Sequence, residues 1–254
     1  MKEARFSYKN ILLPLSVALL LFFTWYVLAA RKVFPESAFP SPQDVWEGFR
    51  TEPGLFNHII ASLYRVGIGF AIAVGVGIPV GLLMGLRIYA RMALLPAVNF
   101  FRNLSPLAWI PFAIIWFKLG DAPAIFLIFM AAVFPIILAT MAAVTTIPAV
   151  YFRVAEDYEF RGLERLTRVI LPAILPEVIT ALRVTAGLSW VVVVAAEMVA
   201  GRDGLGFLIW DARARLLPNV VVVGMIIVGI IGVVLDRLLV QLTRIPSVRW
   251  GYER

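Results

Sequence analysis

Charge is scarce in this chain, and its placement marks the residues able to do chemistry. Arg102 sits within the apolar stretch from Met92 to Phe117, and Arg183 and Glu197 within the stretch from Pro172 to Ala200. Ionisable groups at membrane depth are costly and usually face a bundle interior or an aqueous cavity. Thr180, Arg183, Gly187, Trp190, Val194 and Glu197 recur at a three-or-four spacing and are read as one helix face. Asn99, Arg102, Asn103 and Ser105 form a second polar cluster. The chemistry open to these groups is electrostatic: Arg102 and Arg183 could attract an anion along a pathway. The competing reading, which weighs slightly more, pairs the arginines with Glu197 or with backbone carbonyls so that they hold broken helices together.

The other concentration of charge is the segment from Tyr151 to Pro176. There Arg153, Glu156, Asp157, Glu159, Arg161, Glu164, Arg165 and Arg168 alternate with Val154, Tyr158, Phe160, Leu163 and Leu166. Apolar residues at helical spacing beside a face of both charge signs predict an amphipathic helix. Such a helix cannot lie in hydrocarbon and carries too much apolar surface for a solvated linker, so a docking role is expected.

Other chemistries are poorly served. The chain has no cysteine, so disulfides and thiolate metal sites are excluded. No glycine-rich loop precedes Gly-Lys-Ser/Thr, so no phosphate-cradling loop is expected. His58 is the single histidine, for which a packed or interfacial role is expected over metal chemistry. No Ser-His-Asp or Cys-His set can be assembled, and the chain is not expected to be an enzyme.

The elements that must position these residues are membrane spans. Hydrophobic residues make up 61% and charged residues 15% of the 254, against about 45–50% and about 25% in soluble domains. The surplus lies in uncharged runs of the length that crosses hydrocarbon: Ile11 to Ala30, Val66 to Leu86, Ala122 to Val150 and Leu216 to Leu235. With the two stretches that carry isolated charges, the expectation is one all-α transmembrane domain over 1–254. It has six spans, at about 11–30, 60–86, 92–117, 122–148, 172–200 and 216–243, with a charged segment at 150–171. The first span is too long for a signal-peptide core and lacks a small-x-small cleavage site.

Lys and Arg favour cytoplasmic loops. That rule places Met1–Asn10, the turn with Arg87 and Arg91, the 151–171 segment and the tail with Arg244, Arg249 and Arg254 inside, and both termini in the cytoplasm. The net charge of +7 is read as this loop bias rather than as a nucleic-acid footprint. Locally, Ser41-Pro42-Gln43-Asp44 predicts a helix start with Ser41 as N-cap, opening a short external helix. Gly77, Gly81 and Gly85, four apart, predict a small-residue face that lets a neighbouring backbone approach.

These residues resemble a known family. The order is a charged cytoplasmic helix, then Leu171-Pro172 and Pro176, then Leu182-Arg183-Val184, Leu188-Ser189-Trp190 and Ala195-Ala196-Glu197-Met198, then Gly204-Leu205-Gly206. This is similar to the membrane-spanning permease subunit of binding-protein-dependent ABC importers, in the branch for nitrate, bicarbonate, taurine and alkanesulfonates. Pro40-Ser41-Pro42, Ala61-Ser62-Leu63-Tyr64-Arg65, Gly77-Ile78-Pro79-Val80-Gly81 and Ser105-Pro106-Leu107-Ala108-Trp109-Ile110-Pro111 fit the same branch. The resemblance runs from about Phe39 to Arg237.

The family's cytoplasmic loop reads Glu-Ala-Ala, three residues, Gly, and then Leu-Pro with the proline thirteen residues after that glycine. Counting back from Pro172 puts Arg153-Val154-Ala155 at Glu-Ala-Ala and Glu159 at the glycine, while the glycine present, Gly162, falls three residues late. Either the docking contact has diverged or the loop turns at a different point.

The resemblance implies the remaining parts. It implies a type I importer bundle in the inner membrane, with ATP and Mg held by two separate cytoplasmic ATPase subunits and no cofactor in this chain. A second copy of the permease, as a homodimer, and an external solute-binding protein complete the expected assembly. The 151–168 helix would dock on the ATPase, with Arg153, Val154, Ala155, Glu156, Tyr158, Glu159, Phe160 and Gly162 as coupling residues. Arg102, Asn103, Ser105, Arg183, Trp190 and Glu197 are the pathway candidates. A self-sufficient secondary transporter would show an inverted repeat and intramembrane acids; no repeat is seen, and Glu197 is the one deep acid. A channel-like bundle would not need the docking helix.

Overall fold

A computed structural model describes residues 9–35 and 38–242. The basic segment before Lys9 and the basic tail at 244–254, both expected to be cytoplasmic, lie outside the described residues. Five helices among these residues are long and apolar enough to cross a membrane. They lie within α1 (Lys9–Ala30), α3 (Leu55–Leu86), α6 (Asp121–Thr145), the helix ending in α9 (Leu171–Ala200), and α11 (Pro218–Leu242). The expected third span is not one straight helix. It is α4 (Ile88–Asn103) and a stretch Pro106–Phe117, ending in α5 (Ile110–Phe117), that meet at 88°. Pro106 and Pro111 supply the physical reason, because each removes a backbone donor and clashes with the carbonyl four residues earlier.

The described residues form two compact units. In the first, the residues up to Leu55 join Leu208–Ile226. There α2 (Pro42–Thr51) opens as Ser41 and Pro42 predict, with a reciprocal capping box in which Ser41 Oγ accepts from Asp44 N–H and the Asp44 carboxylate accepts from Ser41 N–H. The Ser41 hydroxyl and N–H hold the Asp44 carboxyl below the usual range. Trp25 Nε1 donates to Pro40 O at 3.1 Å, and Arg215 pairs with Glu52 at 3.1 Å.

In the second unit, Phe56–Phe207 joins the described residues from Ile227 on. Its centre is the seam between α3 and α6. A Cβ added to Gly69, Gly77, Gly81 or Gly85 would meet Ile128, Ile136, Thr140 or Val144 at 2.5–2.8 Å. Each pair is separated by the same 59 positions, so the two helices run parallel and in register. Parallel neighbours require the chain between them to cross the membrane once more, and only the bent α4–α5 pair lies there. The count of six spans therefore survives, with the third one broken.

Helix α6 is the most buried span. It packs Leu127 and Ala131 against Val192 and Ala196 near one end, and Ala143 and Val144 against Ile174 and Val178 near the other, so α9 runs antiparallel to it. Between them the chain forms α7 (Ala149–Asp157), a turn, α8 (Gly162–Arg165) and a π-helical turn at Leu166–Ile170 that leads into α9. That turn widens immediately before Pro172, whose missing N–H and bulky ring disturb the preceding carbonyls.

Candidate functional site

The charged segment is not one helix from 151 to 168. It is α7 followed by a left-handed turn, because the helix stops at Asp157. Phe160 N–H donates to Ala155 O at 2.9 Å and Glu159 N–H to Glu156 O at 2.9 Å. This is a Schellman closure with Glu159 at its left-handed position, φ 56°. A glycine would take that conformation without the Cβ penalty. The turn therefore falls at the position counted back from Pro172, with a glutamate in place of the glycine. Gly162, at φ 53°, makes a second turn before α8.

Helix α7 has two apolar sides. Phe152 packs on the cluster of Ala143, Val144, Ile170 and Ile174, and Ala155 is fully buried. Tyr151, Val154 and Tyr158, at i, i+3 and i+7, are exposed, and Tyr158 stacks on Phe160 with centroids 5.8 Å apart. These residues line a groove with Arg168, Val169, Pro172 and Ala173. Arg168 lies over the Phe160 ring at 5.2 Å and pairs with Glu164 at 3.2 Å. Arg153, Glu156 and Asp157 are exposed beside the groove. Of the expected coupling residues, Ala155 alone cannot touch a partner, since it is fully buried.

At the opposite end of the α3–α6 seam a polar cluster surrounds Arg65, whose side chain is 1% exposed. Its Nη1 donates to Glu197 Oε1 at 2.7 Å and to Asp203 O at 2.9 Å, and its Nε donates to Asp121 Oδ1 at 2.7 Å. Its Nη2 engages the carboxylates of Asp121 and Asp203. The guanidinium thus makes four hydrogen bonds, and its Nη2 has a further ion-pair contact with Asp121. Glu197, also buried, accepts further from Ser62 Oγ at 2.8 Å and from Gly206 N–H at 3.0 Å. Leu205 N–H donates to Ser62 Oγ at 2.9 Å, and Gly204 N–H to His58 Nδ1 at 3.0 Å. A side chain at Gly204 (φ 101°) would occupy the space of the Glu197 carboxylate. The loop after α9 is thus bonded to α3 and α6 through one arginine and one glutamate, and His58 has a packed, hydrogen-bonding role.

Glu197 does not pair with Arg183. The two are 14 positions apart in one helix, about 21 Å along its axis at the α-helical rise. Arg183 instead makes a two-pronged pair with Asp236 of α11, Nε to Oδ1 at 2.6 Å and Nη2 to Oδ2 at 2.9 Å, each side chain about half exposed. Nor do Thr180 through Glu197 share one face. Thr180, Arg183 and Gly187 are exposed, whereas Trp190 and Glu197 are buried. Their mean step of 17/5 residues falls short of a helical turn, so the stripe rotates by about 100° over its length. Trp190 turns inward, where its Nε1 donates to Val228 O at 2.9 Å beside Gly232.

Arg102, Asn103 and Ser105 lie exposed at the break between α4 and α5, and Asn103 Nδ2 donates to Asn99 O at 2.8 Å. They are not brought near Arg183 or Glu197 by any hydrogen bond or ion pair among the described residues. Arg65, Ser62, Asp121, Asp203 and Asp236 were not singled out from the sequence as site residues. The signal for Arg65 was available: a deep acid such as Glu197 needs a cation, and Arg65 borders an uncharged span at the same membrane side.

Residues 77–245 match the family described as the binding-protein-dependent transport system inner membrane component. The bicarbonate transport system permease protein CmpB of Synechococcus elongatus is 36% identical, covering 96% of this chain and 92% of that protein. The nitrate import permease protein NrtB of Leptolyngbya laminosa is 39% identical over 76% of this chain and 69% of its own. The taurine transport system permease protein TauC of Escherichia coli is 34% identical over 90% and 86%. In fold, the chain is similar to one from the MetNI methionine ABC transporter solved in inward-facing conformations, with TM-score 0.61, 20% identity, and coverage of 76% of this chain and 99% of that one. With the spans, the broken third helix and the exposed α7 groove, these matches place the chain in the family of binding-protein-dependent transport system inner membrane components, the permease subunits of ABC importers.

Proposed function

We propose that this permease passes a small oxyanion or sulfonate through a pathway lined by the exposed polar face of α9 and α11. The observation that carries the reading is the Arg183–Asp236 pair. It lies within spans yet is half exposed, and a charged face cannot abut hydrocarbon cheaply. Thr180, about one turn earlier on α9, is exposed as well. Relatives named for bicarbonate, nitrate and taurine transport support a solute of this chemistry.

Two copies of the chain form the pathway in this reading, with both termini cytoplasmic. ATP and Mg are held by two separate ATPase subunits, and an external binding protein delivers the solute. Each ATPase receives the groove of Tyr151, Val154, Tyr158 and Phe160. Closure of the ATPase pair pushes on α7, and Phe152 and Ala155 carry that push into α6 and α9 as a rigid-body movement.

The test is reconstitution of the chain with its ATPase and binding protein in vesicles, with labelled bicarbonate, nitrate and taurine offered in turn. ATP-dependent accumulation of at least one of the three is expected. Accumulation without ATP, or of none of the three while an uncharged solute enters, would overturn the reading.

A further inference from the structure

The ends of α3 and α6 and the inner side of α7 enclose a second cleft, of about 420 Å³, apart from the groove outside α7. Gly85, Leu86, Val144 and Ile147 give it apolar walls, and its charges are Arg91 and Arg165; no acid lines it. Arg165 is held in place by the Phe152 ring, 4.9 Å from its guanidinium carbon. Its one ion-pair partner among the described residues is Glu156, at a long 3.9 Å and 68% exposed. Arg91 is only partly exposed and has no ion-pair partner among the described residues. Two under-compensated guanidinium groups thus face one cavity.

The depth of the cleft suggests what it holds. Gly85 and Leu86 close one span and Val144 and Thr145 close another, so the arginines sit where hydrocarbon gives way to headgroups. Apolar walls on the membrane side and guanidinium groups on the aqueous side match an amphiphile with an anionic head. Guanidinium forks suit phosphate oxygens, and basic pockets between spans on the cytoplasmic side take anionic lipid heads. We propose that this cleft binds the phosphodiester headgroup of an anionic phospholipid between Arg91 and Arg165, with the acyl chains along Leu86 and Ile147. Its assignment to the cytoplasmic leaflet rests on the orientation proposed above. A lipid seated there touches Phe152 and Arg165, and so braces α7 against the bundle.

Native mass spectrometry of the assembled importer, equilibrated in detergent with phosphatidylglycerol or phosphatidylcholine, tests this. The wild type should retain phosphatidylglycerol preferentially by roughly thirtyfold, the product of two arginine contributions. Arg91→Gln with Arg165→Gln should lose the preference, Arg91→Lys with Arg165→Lys should keep most of it, and Arg213→Gln, remote in sequence, should leave it intact. Should the double glutamine variant fail to assemble, Arg91→Gln alone decides, since its side chain is partly exposed and unpaired. Equal retention of the two lipids by the wild type, or an unchanged preference in the glutamine variant that assembles, overturns the proposal. Displacement of the lipid by millimolar inorganic phosphate would reassign the cleft to a free anion. Retention by the isolated chain but not by the assembled importer would show that protein covers it, and either result rejects a lipid site. The readout is lipid retention, so an error in the proposed solute leaves it unaffected.

Discussion

Arg65 and Glu197 show how a single pair can set the stability of a membrane bundle. Removing one partner of a buried pair leaves an uncompensated charge, at a cost of about 3–5 kcal/mol. Arg65→Gln should therefore lower the thermal unfolding temperature in detergent sharply, and Arg65→Leu combined with Glu197→Leu should recover much of the loss. An unchanged melting temperature in the single variant would show that water reaches the carboxylate. Glu159 gives the opposite case. A glutamate in the left-handed region carries a strain of about 1–2 kcal/mol that a glycine avoids. Glu159→Gly should slow amide exchange at the end of α7 without changing the turn; faster exchange would mean that chain entropy outweighs the strain.

The α3–α6 seam works as an element because its glycines present no side chain where α6 needs space. Overpacking a close helix contact costs about 1–3 kcal/mol. Gly81→Ala, whose new methyl would meet Thr140 Cβ at 2.6 Å and Ile137 O at 2.7 Å, should be destabilising by that order. Gly75 lies in the same helix with nothing within 4 Å of an added Cβ, and Gly75→Ala should be neutral or stabilising by up to about 1 kcal/mol. Melting of the two variants side by side checks the register; equal effects would contradict the parallel seam. Helix α9 adds a second lesson in register. Its apparent stripe of functional residues winds from the exposed Arg183 to the buried Glu197, and one helix thereby serves two separate polar sites.

For the whole molecule, proposed coupling and proposed passage rest on different residues and can be separated by experiment. Tyr158→Asp with Phe160→Asp puts charge on the exposed groove, where docking would bury it at a cost of several kcal/mol. ATPase stimulation and uptake should be lost while the melting temperature of the isolated chain stays the same, because both rings lie outside the core. Wild-type uptake in that variant would exclude the groove as the docking surface. Arg183→Gln should instead reduce anion uptake by roughly tenfold, about 1.4 kcal/mol, and leave ATPase stimulation intact. A half-exposed pair contributes about 0–1 kcal/mol to stability, so melting should barely change. A large drop in melting temperature with normal uptake would assign the Arg183–Asp236 pair to holding α9 on α11.

Much of this protein follows from local chemistry. Where the long apolar helices lie follows from the runs of uncharged residues, although α3 continues past Arg65 to Leu55. The start of α2 follows from Ser41 and Asp44, and the close seam from the spacing of Gly77, Gly81 and Gly85, because each signal is carried by residues within a few turns. The family was legible from Ser105–Pro111 and Ala195–Met198. The place of the turn after α7 was legible too, by counting from Pro172, although the glutamate there hid it. Tertiary structure alone decided the partners of the charges that lie within the spans. Arg65 meets Glu197 across 132 positions and Arg183 meets Asp236 across 53, and nothing in a helical period predicts which distant helix supplies a counter-charge. The 88° break after Asn103 belongs to the same class. Proline at 106 ends the regular helix, but the direction taken after it goes with the packing of Ala113 against Leu127 and Val192, residues distant in sequence.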